Sequence, residues 1–299
     1  MRRAWNLLGA GLGAAGTVAA VVYCAPPPSQ QLPPPQLPPP QPQPPQQQPQ
    51  RLPSLRSLAH EAVGTGLIVL LGCGSVASVK YLASGMTLGG VSIIWGSSVA
   101  LAVYATRDAS GAHLNPAITA ALAVHRPEAV PLEMALGYMA AQTLGAAGAA
   151  LLNYAVFSRA IAEFEAKGGL VRGAPGSAAS YAGAFACLPS PGRGALAAEV
   201  LATSILSYLV FALTDARTGA PSGAQPALVG CAVTALVSVF GPVCGAGMNP
   251  ARDLGPRLVT LLMGWKGEGL RGAPAYTLGP LLGAVLGAGA YDALSALPA

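Results

Sequence analysis

Charged residues are so sparse along most of this chain that their absences define its pattern. None occurs in residues 62–79, 81–106, 134–158, 200–214 or 272–291. A further uncharged run, 218–251, is too long for one helix. Crossing a hydrocarbon core of ~30 Å takes about 20 apolar residues. The pattern therefore predicts an all-α membrane protein with six spanning helices. They lie near residues 59–82, 87–107, 131–157, 195–214, 225–243 and 273–293.

Two interruptions share one tripeptide, Asn115-Pro116-Ala117 and Asn249-Pro250-Ala251. Asn is a preferred helix N-cap and Pro is tolerated at the first helical position. Each copy thus predicts the start of a short helix inside the bilayer. From Asn115 to about His125 such a helix would be about 16 Å long, half the core. The incoming loops, 108–114 and 242–248, are Gly-rich or contain Pro and are predicted not to be helical throughout. Non-helical backbone at this depth must be buried in protein or line a wet cavity, so each loop is predicted to offer its carbonyls to a pore.

The two interruptions belong to two halves. Glu61 lies 54 residues before Asn115, and Glu199 lies 50 before Asn249. Each half, about 58–157 and 195–297, reads helix, helix, Asn-Pro-Ala segment, helix. Three spans is an odd number, so the halves must be inverted, an arrangement that places a functional site at the midplane. Glu61 and Glu199 then have two readings, solvated carboxylates at helix starts or buried acceptors for the loop amides of their own halves. Their matched positions favour the second. Arg252 follows Asn249 by three residues and should face the pore axis, at a cost of at least ~2.5 kcal/mol in the membrane interior. His113 is read as a loop anchor beside Asn115, while His60 and His125, near membrane ends, are read as solvent-facing. Gly279, Gly283 and Gly287 form a small-residue stripe for close helix approach.

Composition agrees with the membrane assignment. Mean hydropathy is +0.52 and 9% of residues are charged, against about 25% in soluble domains. The net charge of +5 is spread out, with no Lys/Arg cluster that would suit a nucleic acid. Five cysteines show no CxxC spacing. No nucleophile–base set, metal-ligand cluster or phosphate loop suggests an enzyme. Residues 1–24 carry Arg2 and Arg3 and then an apolar run, which suits a targeting peptide, an extra membrane anchor or a misassigned first exon. Residues 25–57 begin as a Pro/Gln tract that cannot bury a core and should be extended and disordered. The channel-forming body is assigned to 58–297.

The segments Ser110–Ala117 and Gly247–Asp253 resemble the signatures of the major intrinsic proteins, and more closely those of the aquaglyceroporin branch. The resemblance covers about residues 58–297. It implies a passive, cofactor-free channel with four pores per homotetramer, permeable to glycerol, water and other small uncharged solutes, urea among them. It also implies cytoplasmic ends for the body, in a plasma or organelle membrane. By motif position, Asn115 and Asn249 would donate N–H groups to a passing hydroxyl, and Arg252 would form the cationic wall of a narrower constriction. Asp253 is typical of the glycerol-conducting branch. Trp95 occupies the position of the branch's filter aromatic.

The implied filter is therefore Trp95, Val237, Ala246 and Arg252. Ala246 stands where bacterial facilitators have Phe, which should widen the constriction, and Val237 stands where they have Gly. A mainly water-selective pore, or one for ammonia or metalloids, stays open within the family. Outside that class, a secondary transporter would need a coupling carboxylate, and a non-conducting structural protein would not need intact motifs.

Overall fold

The computed structural model describes residues 52–188 and 194–298, all within a unit spanning Gln47–Ala299. The leader and most of the Pro/Gln tract lie outside the described residues. Six helices are long and apolar enough to cross a membrane. They are α1 (Leu55–Leu82), α2 (Leu88–Ser110), α4 (Leu132–Gly168), α6 (Ala195–Thr214), α7 (Gln225–Cys244) and α9 (Ala273–Ser295). Two half-helices, α3 (Pro116–His125) and α8 (Pro250–Thr260), follow the Asn-Pro-Ala starts, and a single turn, α5 (Ala178–Tyr181), lies in the long α4–α6 connection. Among the described residues there are no strands beyond one isolated bridge.

The helices pair as an inverted repeat requires. α1 packs along α4 and α6 along α9, while α2 crosses α7 between the halves. Lipid tails supply no hydrophobic drive between helices, so close contact depends on small residues. A Cβ on Gly145 of α4 would collide with the Ala62 carbonyl of α1. In the other half, Cβ atoms on Gly283 and Gly287 would collide with the Val200 and Ser204 carbonyls of α6. At the crossing, Gly96 and Gly230 bring the α2 and α7 backbones together in the same way. The stripe in the last helix is thus the α6 contact face. Outward-facing Leu, Val and Ile side chains remain exposed along the spans, where lipid would cover them.

Several helix ends differ from the sequence pattern. α1 starts at Leu55, capped by the Ser54 hydroxyl on the Ser57 amide at 3.0 Å. Glu61 therefore sits almost two turns inside the helix, and the body reaches into the stretch assigned to the linker. α4 runs to Gly168, well past the expected 157. Beyond the apolar run it becomes two-faced. Ile161 and Glu165 are buried, while Arg159 and Glu163 pair on the open side at 3.2 Å. α2 and α7 continue to Ser110 and Cys244, which shortens the re-entrant loops to 111–114 and 245–248. Pro242 is inside α7 and does not end it. In each half a tyrosine from the last helix meets the terminal carbonyl, Tyr138 Oη donating to Ser110 O at 2.9 Å and Tyr276 Oη to Cys244 O at 2.5 Å. These bonds replace the partner that a helix end lacks.

The close α1–α4 contact makes a stability prediction. Gly145→Leu should destabilise the protein by about 2–3 kcal/mol, lowering its thermal midpoint in detergent by roughly 5–10 °C. Gly148→Ala, at a position with nothing within 4 Å, should leave the midpoint unchanged or slightly raised.

Candidate functional site

Each half-helix begins with an asparagine whose carboxamide is almost fully used. Asn115 Oδ1 accepts from Ala117 N at 2.9 Å, and Asn249 Oδ1 accepts from Ala251 N at 3.0 Å and Arg252 N at 3.2 Å. These are N-caps. One amide N–H of each asparagine then crosses to the opposite half. Asn115 Nδ2 donates to Met248 O and Asn249 Nδ2 donates to Leu114 O, both at 2.8 Å. The two helix N-termini are therefore tied together, and each carboxamide keeps one uncommitted N–H. Both termini carry the positive end of a helix dipole.

The loops entering these termini have a costly shape. Gly111, Ala112 and Leu114 have positive φ, and so do their counterparts Gly245, Ala246 and Met248. Non-glycine residues pay roughly 1–2 kcal/mol each for the left-handed region, so such a backbone persists only when its surroundings impose it. The imposing groups are Glu61 and Glu199, both with 0% exposure. Glu61 accepts from the amides of His113 at 3.0 Å and Leu114 at 2.7 Å, from Ser110 Oγ at 2.6 Å and from Gln142 Nε2 at 2.7 Å. Glu199 accepts from the amides of Gly247 and Met248, both at 2.7 Å, and from the Cys244 thiol at 3.1 Å. With their amides committed to the carboxylates, the loops turn their carbonyls elsewhere. Two of those carbonyls, of Leu114 and Met248, are the ones the asparagines reach.

His113 joins the first loop to its surroundings, its ring Nδ1 lying 3.3 Å from Thr119 Oγ1 and its edge against Tyr138. Thr119 also accepts from Gln142 at 3.0 Å. His125 is not solvent-facing. Its ring lies 3.1 Å from Asp292 Oδ2 and 3.1 Å from the Val285 carbonyl, and Arg126 pairs with the same aspartate. Nearby, Asp215 in the α6–α7 connection is held below the usual carboxylate range by its hydrogen bonds from Arg217.

Two cavities meet at the asparagines. The larger, about 280 Å³, opens toward the side of the body's two ends. Its walls are mostly aliphatic, with His113 and the first loop along one side. The smaller is about 40 Å³, roughly a seventh of the larger. Trp95, Val237, Ala246 and Arg252 all line it, and Asn115 and Asn249 line both cavities. The Arg252 guanidinium stacks on Trp95 with its carbon 4.7 Å from the ring centre. It is 4% exposed, and its Nη1 has no protein partner. Gly72 leaves room for the Trp95 ring, which a Cβ there would strike. Asp253 does not reach the cavity. It is buried behind Arg252, paired with Arg257.

Sequence reasoning missed Ser110, Gln142 and Cys244 as partners of the anchoring carboxylates, and Tyr138 and Tyr276 as caps. A signal existed for some of them. Ser110 and Cys244 hold equivalent places before the two Asn-Pro-Ala segments, and the tyrosines lie near the starts of the two closing helices.

Comparison with known proteins follows the same lines. The model of the major intrinsic protein family matches residues 48–291. The glycerol uptake facilitator protein of Haemophilus influenzae is 40% identical over 234 residues, covering 76% of this chain and 88% of that protein. That of Pseudomonas aeruginosa is 40% identical over 249 residues, covering 79% and 87%. The propanediol uptake facilitator PduF of Salmonella typhimurium is 39% identical over 240 residues, covering 78% and 90%. Among solved structures, the aquaglyceroporin from Plasmodium falciparum shares the fold, with a TM-score of 0.70 at 23% identity over 81% of this chain and 96% of that one.

Replacing Glu61 by Gln puts an amide among donors and leaves at least one loop N–H unpaired. Glu61→Gln should cost roughly 3 kcal/mol, seen as a fall of about 6–12 °C in the thermal midpoint. Glu133→Gln, at an exposed carboxylate, should change it by less than about 2 °C.

Proposed function

The chain belongs to the major intrinsic protein family, and on that footing we propose that it is a passive channel for glycerol, other small uncharged solutes and water. The family match and the facilitators named above support the solute class. The observation that carries the reading is the junction of the two cavities at Asn115 and Asn249, whose cross-links leave one N–H each to face a permeant.

A solute entering the smaller cavity loses most of its water. The Arg252 guanidinium, over Trp95 in the wall of that cavity, donates to a hydroxyl there, and the apolar face of Trp95 takes the CH edge of the polyol. Val237 and Ala246 form the remaining wall. At the asparagines a hydroxyl oxygen accepts from the two free N–H groups while the converging helix dipoles oppose a cation. Beyond them the aliphatic wall and the loop carbonyls serve a molecule with one apolar and one hydroxylated side. Every step exchanges hydrogen bonds, and none makes or breaks a covalent bond. In a bilayer the exposed apolar faces would meet lipid and, in a homotetramer, neighbouring copies.

The filter sets the balance between solutes. Ala246 is small and Val237 only moderately bulky, so the reading assigns glycerol flux as well as water flux. Stopped-flow light scattering on proteoliposomes tests it by comparing shrinkage under sucrose with re-swelling under glycerol. Re-swelling well above that of empty vesicles is expected, and shrinkage without re-swelling would make this a water channel. In the same assay Ala246→Phe should reduce glycerol permeability about tenfold, or ~1.4 kcal/mol of barrier, and water permeability less. Equal loss of both would contradict the filter assignment.

A further inference from the structure

The buried pair behind Arg252 has a task that neither the anchoring carboxylates nor the filter residues explain. Asp253 and Arg257 are one turn apart on α8 and both have 0% exposure. Arg257 Nε donates to Asp253 Oδ2 at 2.5 Å and Nη2 donates to Asp253 Oδ1 at 3.2 Å. Together they take both backbone groups of one residue in the α4–α6 connection. Cys187 N donates to Asp253 Oδ1 at 2.8 Å, and Arg257 Nη2 donates to Cys187 O at 2.6 Å. Arg257 Nη1 binds the carbonyls of Gly269 at 3.1 Å and Arg271 at 2.7 Å. A guanidinium has a fixed fork of donors, so these acceptors are held in a fixed relation to one another.

The clamped residue touches the filter. Cys187 Sγ lies 3.6 Å from the carbonyl of Gly245. A Cβ on Gly245 would come within 3.2 Å of that sulfur. Gly245 and Ala246 have φ of 86° and 48°, and Ala246 is one wall of the smaller cavity. The rest of the segment is tied down as well, with Lys80 Nζ on the Ala182 carbonyl at 2.8 Å and Ala184, Phe185 and Ala186 all buried. One residue therefore connects the helix that carries Arg252 to the strained turn that carries Ala246.

We propose that Asp253 and Arg257 are positioning residues for solute selectivity. By holding the Cys187 peptide they seat segment 182–188 against the Gly245–Ala246 turn, and that seat sets the opening between Ala246 and Arg252. The proposal rests on the channel reading. It gives Asp253 a physical role, which its value as a marker of the glycerol-conducting branch does not supply. Without the seat, Glu199 still holds Cys244, Gly247 and Met248, but Gly245 and Ala246 between them lose their support from the α4–α6 connection and the wall moves. A larger solute responds to that movement more strongly than water does.

The test uses the full chain in proteoliposomes, with water and glycerol permeabilities each normalised to inserted protein. Arg257→Lys keeps a charge beside Asp253 and loses the forked donors. Cys187→Ala leaves the backbone clamp in place and removes only the sulfur seat. Both should lower the ratio of glycerol to water permeability, the first at least threefold and the second by less. An unchanged ratio, with both fluxes falling only as folded protein falls, would overturn the proposal and leave the pair a structural role. If Arg257→Lys fails to insert, the ratio for Cys187→Ala decides alone. Wild-type protein that conducts neither solute would instead sink the channel reading.

Discussion

Two carboxylates without solvent exposure hold the centre of this protein together. Glu61 and Glu199 each accept two consecutive amides of a re-entrant loop. Burying a carboxylate is costly unless hydrogen bonds surround it, and here they do. In return the loops keep a backbone that would otherwise relax, with left-handed Ala112, Leu114, Ala246 and Met248. Everything at the midplane follows from that shape. The loop carbonyls become available, the asparagines reach across to two of them, and the half-helix starts are brought to one point.

The halves obey the same plan with different chemistry. A serine hydroxyl meets Glu61 where a cysteine thiol, a weaker donor, meets Glu199. Gln142 adds a further bond to Glu61 and ties it to Thr119. The larger cavity beside the first loop is mostly aliphatic, and the smaller one beside the second carries Arg252 and Trp95. On the proposed reading, selectivity gathers on one side of the asparagines, while the other side is a wider amphipathic passage. On that same side the α4–α6 connection is pinned by Asp253 and Arg257.

Most of this architecture was legible in the sequence. Uncharged runs mark the six spans, because water and lipid sort side chains coarsely over about 20 residues. The two tripeptides mark the half-helices, because capping is a local rule. The matched positions of Glu61 and Glu199 point to their burial. Features that depend on contact between distant residues were not legible. The tyrosines' matched places near the starts of α4 and α9 do not say which carbonyls they reach, Ser110 and Cys244, so the ends of α2 and α7 fell short of where they lie. α4 outran its apolar stretch because Ile161 and Glu165 find partners in a connection that no periodicity describes. His125 looked like a solvent-facing residue near a membrane end until Asp292 and the Val285 carbonyl were seen beside it. Cys187 carried no signal at all, since its backbone groups and its thiol all meet residues far away in the sequence.

On the proposed reading, the paired half-helix starts pass neutral hydroxyls and reject cations at one point. The most direct measurement loads one batch of proteoliposomes with a pH-sensitive dye and follows glycerol-driven swelling and the decay of an imposed proton gradient. Fast swelling is expected, with a proton leak no greater than that of empty vesicles. A proton leak that rises with protein content alongside the glycerol flux would contradict it, because the asparagine junction would then be an open water-filled path.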